Sequence, residues 1–199
     1  MMEHALPPGW SYNPCAWRDR LPLVGLAALG FAAAFYTGFY QLGIVPHLWD
    51  PFFGSQSSYL VTHSVVSRIL PFPDGLLGLI GYFCDMLFGA LGGADRWRRA
   101  PWLVLVFCAI ITAMATVSVL LTITMGVLVR HWCTVCLFSA SISTLIFGLG
   151  VGEALPALQY LTRVYGDTGA LGAVWRAAWG NGACEHTTHR APLPLPIAE

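Results

Sequence analysis

The chain has no lysine and little charge of either sign. Only 10% of its 199 residues are Asp, Glu, Lys or Arg, against about 25% in an ordinary soluble domain. All ten cations are arginines and ten acids balance them, so no basic face points to nucleic acid. Two further absences matter. The segment 44–72 holds no cysteine, and no second cysteine pair exists to complete a four-ligand zinc site, so no metal is expected. No Ala-x-Ala site follows the first apolar run, which also begins behind a polar preamble, so that run reads as a retained helix rather than a cleaved leader.

What is present is apolar. Hydrophobic residues make up 56% of the chain and the mean hydropathy is +0.64. Residues 21–42, 101–129 and 132–152 carry no charge, and residues 75–93 carry only Asp85. A span needs about 20 apolar residues. The expectation is an all-α membrane protein with a four-transmembrane-helix bundle. Arg18 and Arg20, then Arg96, Arg98 and Arg99, then Arg163, Arg176 and Arg190 share one side of that arrangement, leaving Arg68 and Arg130 on the other. By the positive-inside rule both termini are expected to be cytoplasmic. Loop 44–72 and the 130–133 turn then face outward.

Along the chain, residues 1–20 read as an interfacial or cytoplasmic preamble with Trp10, Tyr12 and Trp17 at headgroup level. Residues 21–152 form the membrane domain, and 153–199 a cytoplasmic tail, partly disordered around Pro192, Pro194 and Pro196. Ser58 to Leu70 reads as a short outer amphipathic helix, with Val61, Val65 and Ile69 four apart, capped by Ser57 or Ser58 and ended by Pro71 and Pro73.

The chemistry concentrates at Trp132-Cys133-Thr134-Val135-Cys136. A Cys-x-x-Cys pair at a helix start brings two thiols within disulfide reach. There the free N–H groups and the helix dipole favour a thiolate. On the outward side a disulfide is permitted. Packing of two small buried cysteines is the alternative. Asp74 and Asp85, about three turns apart, share one face of helix 2 with Gly78 and Gly81. Asp74 is either a helix cap or a ligand-oriented acid; Asp85 is either a satisfied interior group or a proton-handling one. Cys84 and Cys108 read as packing residues, and Cys15 as a reduced cytoplasmic thiol. His47, His63 and His131 fall on the outer side, as solvated loop residues or thiolate partners. Cys184, His186 and His189 form a tract too sparse for a firm metal site.

Several stretches together resemble vitamin K epoxide reductase and its bacterial homologues. They are Trp49-Asp50-Pro51-Phe52-Phe53-Gly54, Ser64 to Ser67, Pro71-Phe72-Pro73-Asp74-Gly75, Gly78 with Tyr82, and the Cys133/Cys136 motif. The resemblance implies a quinone-linked thiol–disulfide oxidoreductase, a multi-pass protein of the bacterial inner membrane. Cys133 and Cys136 would be its catalytic pair: Cys133 exchanges with a thiol donor such as a periplasmic thioredoxin-like protein, and Cys136 meets ubiquinone or menaquinone. Asp74, Gly78, Tyr82 and Ala140 take the positions implied for quinone contact. The sequence departs from the family in two places. The outer-loop cysteine pair that relays electrons is missing, with Asp50 and Ser57 or Ser58 near those positions. A tyrosine one turn after the second cysteine is here Ala140. The alternative is a non-catalytic structural or quinone/lipid-binding subunit of a larger membrane complex, resting on the lipid bilayer and neighbouring subunits alone.

Overall fold

A computed structural model describes residues 6, 7, 9–64, 67 and 73–180. The described chain is all helical. In order it forms α1 (Trp17–Gln41), α2 (Ser55–Thr62), α3 (Asp74–Ala90), α4 (Arg96–Arg99), α5 (Pro101–Thr124), α6 (Thr134–Gly150), α7 (Ala154–Thr168) and α8 (Leu171–Ala178). A π-helical turn, Met125–Val129, extends α5, and a 3₁₀ turn, Val151–Glu153, joins α6 to α7.

Three helices among the described residues are long and apolar enough to cross a membrane: Trp17–Gln41, Pro101–Val129 and Thr134–Thr168. This corrects the expectation of four transmembrane helices. α3 has 17 residues, about 25 Å at the usual rise, short of the roughly 30 Å hydrocarbon layer. The expectation of both termini on the cytoplasmic side required an even number of spans and falls with it. The sequence run 75–93 looked longer because its last residues leave the helix: the chain turns at Gly92, which has φ 81°. The last span is longer than expected, since the 3₁₀ turn carries α6 on into α7 instead of stopping at 152.

α1 and α3 pack antiparallel because glycines let their backbones meet. A Cβ on Gly75 would lie 2.8 Å from Gly38 Cα, and one on Gly30 would strike the Tyr82 ring. Between these points Gly78 faces Ala34. This is the small-residue packing of membrane helices. Phe107 and Ile111 of α5 and Ile142 and Ile146 of α6 complete the core.

The end of the bundle remote from the Cys-x-x-Cys motif is held by two buried arginines. Arg20 donates to the carbonyls of Gly89 (2.9 Å), Leu91 (2.7 Å) and Gly92 (2.8 Å). Arg96 donates to Phe88 O (2.9 Å) and Leu91 O (3.1 Å), and pairs with the buried Glu153 carboxylate, 3.0 Å from its Nε. Burial beside this pair pushes the Cys15 thiol up to about 12, so Cys15 is a neutral packing group there. α8 closes against the start of α5, with Trp179 stacked on Trp102 at 5.1 Å.

The outer helix differs from its expected position. It runs Ser55–Thr62, three residues earlier than Ser58 and ending well before Leu70. Residues 65, 66 and 68–72 lie outside the described set, as do residues 181–199 with Cys184, His186, His189 and the proline-rich end. No side chain caps α2, whose N-cap residue is Gly54; Ser57 and Ser58 lie within the helix and bond elsewhere, as described below. The described part of the tail forms α7 and α8.

Removing one partner of a buried ion pair strands the other charge and costs about 3–5 kcal/mol. Arg96→Ala is therefore expected to lower the melting temperature of the detergent-solubilised protein markedly. Arg96→Met with Glu153→Leu should recover most of that loss. Equal melting of wild type and Arg96→Ala would show that the pair is not a structural anchor.

Candidate functional site

The site forms where α6 begins. Cys133 is the N-cap residue of α6 in extended backbone, and its Sγ accepts the N–H of Cys136 at 3.3 Å. The sulfur thus occupies the place a capping oxygen usually takes. The Cys133 thiol is held below the ordinary value of 9.0, first by the hydrogen bond from the Cys136 side chain. Burial opposes that effect, while the Cys136 N–H and Ser58 add to it. Both thiols are free in this structure.

The two thiols face different surroundings. Cys133 is fully buried, packed with Leu48, Val61 and Met125. Cys136, one turn further along α6, lines an apolar cavity of about 440 Å³ between α1, α3, α5 and α6. Asp74, Gly78, Tyr82 and Ala140 all line the same cavity. The positions implied for quinone contact therefore share one space with Cys136, and Cys133 does not line it.

Asp50 ties the outer loop over this helix start. Its carboxylate accepts the Thr134 N–H at 2.9 Å, the Thr134 hydroxyl, the Ser58 hydroxyl, and the N–H groups of Phe52 (3.1 Å) and Phe53 (2.8 Å). Burial alone would raise the Asp50 carboxyl, but these donors outweigh it and hold it well below the usual carboxylate range. Ser57 adds a second tie: its hydroxyl donates to Trp132 O at 2.7 Å and accepts from Trp132 N at 3.1 Å. Asp50 and Ser58 therefore bond each other above Cys133.

At the cavity's polar end Asp74 is the first residue of α3, with Pro73 in the cap position. Asp74 Oδ1 accepts the Gln41 side-chain amide and the Gly75 N–H at 2.9 Å; Oδ2 lies 3.2 Å from Ser67 Oγ. Tyr82 donates its hydroxyl toward Ser139 O at 2.6 Å and lies 2.7 Å from Ser143 Oγ, tying α3 to α6. Met114, Ser118, Leu121, Thr122 and Met125 form the α5 wall. Asp85 is buried and does not line this cavity, and among the described residues neither of its oxygens has a hydrogen-bond partner, so of its two readings from sequence the satisfied interior group is not found there. His131 Nδ1 lies 2.9 Å from Val129 O and His63 stacks on Tyr59 at 4.3 Å. Neither hydrogen-bonds a thiol. Among the described residues no group of three metal-ligating side chains assembles.

Gln41 and the α5 wall were not singled out from sequence. Ser118 and Thr122, four apart in an uncharged run, were the available signal for a polar line facing the bundle interior. Gln41 had only its place at the end of an apolar run.

The described residues form a helical membrane protein with a cysteine pair at a helix start beside a bundle cavity. Residues 21–151, more than half of the chain, match the vitamin K epoxide reductase family, and the chain belongs to that family. No curated protein matches the chain significantly.

The lowered Cys133 thiol predicts a pH dependence. The thiolate reacts and the thiol does not, so alkylation of reduced Cys133 should be half-maximal below pH 9. Cys136→Ala removes the side-chain hydrogen bond that does most to lower the Cys133 thiol and should move that midpoint up; Cys136→Ser, which keeps a donor, should move it less. A midpoint unmoved by either change would rule out Cys136 as the cause. Asp50→Ala should also raise the alkylation rate several-fold by releasing the loop, and should cost more stability than the about 1.5–3 kcal/mol of one hydrogen bond to a charged group, because five donors lose their acceptor together.

Proposed function

We propose that the protein is a quinone-linked thiol–disulfide oxidoreductase of the bacterial inner membrane, with Cys133 and Cys136 as its redox pair. One observation carries the reading: Cys136 lines an apolar cavity of about 440 Å³ while its partner Cys133 caps the same helix beneath the outer loop. Pockets for drug-sized ligands run about 300–1,000 Å³, mostly apolar with a few polar groups. The methionine and leucine wall suits a flat ring and a prenyl chain. Asp74, Gly78, Tyr82 and Ala140 are the contact positions we assign to ubiquinone or menaquinone.

The steps balance as follows. A donor thiolate, from a periplasmic thioredoxin-like protein, attacks Cys133 Sγ of the oxidised pair. The Cys133–Cys136 bond breaks, a mixed disulfide forms and Cys136 leaves as a thiolate. The donor's second thiol attacks the mixed disulfide and frees Cys133. The reduced pair then delivers two electrons and two protons to the quinone and closes again as a disulfide. The quinone supplies the two-electron acceptor. Cys136 provides the sulfur at the cavity wall, and the α6 N-terminus stabilises Cys133 as an anion.

A second reading, a non-catalytic subunit of a larger membrane complex that holds lipid or quinone, is favoured by one observation. Cys133 is fully buried beneath Leu48, Val61 and the Asp50–Ser58 bond, with no loop cysteine to reach it. Catalysis requires that this cover open.

The two readings separate in one experiment. Cys136→Ser leaves Cys133 as a lone thiol. Offered the oxidised, disulfide form of a thioredoxin-like donor, the Cys133 thiolate attacks that disulfide and one donor cysteine leaves as a thiolate. A reductant-sensitive adduct is expected to accumulate because no Cys136 thiol can displace it, while Cys133→Ser accumulates none. Purified wild type with reduced donor and quinone should reduce the quinone, and either variant should lose at least a hundredfold in rate. No adduct, no turnover and constant copurification with other membrane subunits would establish the second reading instead.

A further inference from the structure

At the polar end of the cavity the Asp74 carboxylate supplies acceptors only. A carboxylate offers about four lone-pair positions and no proton. Oδ1 of Asp74 already takes the Gln41 amide and the Gly75 N–H. Among the described residues Oδ2 has only the Ser67 hydroxyl within reach, and that hydroxyl also lies 3.1 Å from Val61 O. Ser67 has one proton to give. Oδ2 therefore keeps at least one acceptor position for whatever fills the cavity that Asp74 lines. A quinone oxygen is itself an acceptor, and set against Oδ2 it would meet lone pair with lone pair. A hydroquinone hydroxyl donates, and a hydrogen bond to a charged acceptor is stronger than a neutral one.

From this inventory we propose that Asp74 makes the cavity selective for the hydroquinone over the quinone, so that the site favours the reduced product. The inference rests on the quinone-linked reading above and adds the redox form that the pocket prefers. Tighter binding of the reduced form makes the bound ligand a stronger oxidant. A tenfold preference corresponds to about 30 mV for a two-electron couple. The site thereby draws electrons out of Cys133 and Cys136, and the same preference slows release of the product.

The amide side chain inverts the logic. In Asp74→Asn the amide oxygen can take the place of Oδ1, keeping the Gln41 and Gly75 donors, and the NH₂ then stands where Oδ2 stood and donates into the cavity. Ser67→Ala works the other way, since it removes the competing hydroxyl from Oδ2 and leaves more acceptor capacity free.

The test is binding, not turnover. Full-length protein carrying Cys133→Ser and Cys136→Ser is titrated anaerobically in detergent with 2,3-dimethyl-1,4-naphthoquinone and, separately, with its hydroquinone, using calorimetry. With Asp74 present the hydroquinone is expected to bind about tenfold tighter or more. Asp74→Asn should abolish or reverse that ratio, and Ser67→Ala should increase it. A loss of folding would weaken both ligands together and leave the ratio unchanged, so the opposite movements in the two variants separate selectivity from damage. Equal affinity for the two forms, or a ratio that neither variant moves, overturns this inference and leaves the quinone pocket standing. Failure of both forms to bind overturns the pocket and the inference together.

Discussion

The structure depends on how the C-terminal carbonyls of α3 are satisfied. The last turn of a helix leaves its C=O groups without intrahelical partners, and in apolar surroundings each unpaired group costs free energy. α3 is too short to carry those groups to a distant interface. Arg20 from α1 and Arg96 from α4 reach them instead, and between them take the carbonyls of Phe88, Gly89, Leu91 and Gly92. Arg96 must itself be neutralised, and Glu153 at the α6–α7 junction does this. One set of contacts therefore fixes α3 against α1, sets the height of α4 under α5, and pins the far end of α6.

That anchoring determines the cavity. With α3 fixed at its C-terminal end, the glycine contacts set its distance from α1, and Tyr82 sets its distance from α6 through Ser139 and Ser143. The opening that remains lies toward the N-termini of α3 and α6, where Asp74 and Cys136 stand. The π-helical turn of Met125–Val129 widens α5 at the same level, and Met125 and Val129 line the space. Such turns recur at functional sites because they re-aim side chains without ending a helix.

The local chemistry was legible in the sequence, and the long-range arrangement was less so. The Cys-x-x-Cys spacing announced the dithiol and the helix start, and apolar runs placed α1, α5 and α6. Hydropathy could not show that the run 75–93 ends as a helix at Ala90, because Leu91, Gly92 and Gly93 are as uncharged as the residues before them. It also could not show that α6 continues into α7, since Glu153 reads as a span-ending charge until its partner Arg96 is seen. The outer helix was misplaced because Ser57 and Ser58 look like caps in sequence, whereas in the fold they bond Trp132 and Asp50. The Asp74 partners Gln41 and Ser67 lie 33 and 7 residues away in the chain. No periodicity links them.

The Asp50–Ser58 bond bears on how electrons reach the dithiol. These two residues stand near the positions where the family resemblance implies a relaying cysteine pair. A carboxylate and a hydroxyl cannot carry electrons, but they can hold a loop. Asp50 accepts five donors from three segments: its own turn, α2 and the first residue of α6. The bond that takes the relay's place is thus also the one that covers Cys133. A relay permits the buried cysteine to stay buried, because a neighbour on the same chain delivers the electrons. Without it, the thiol exchange proposed for Cys133 would have to be coupled to release of the loop, with the strength of the Asp50 contacts setting how often the site is open. Ordinary hydrogen bonds contribute about 0.5–1.5 kcal/mol each and those to a charged group about 1.5–3, so five of them held in common make opening rare until a docking partner replaces them. In this chain access to Cys133 is therefore controlled by a hydrogen-bonded cover rather than by a second disulfide.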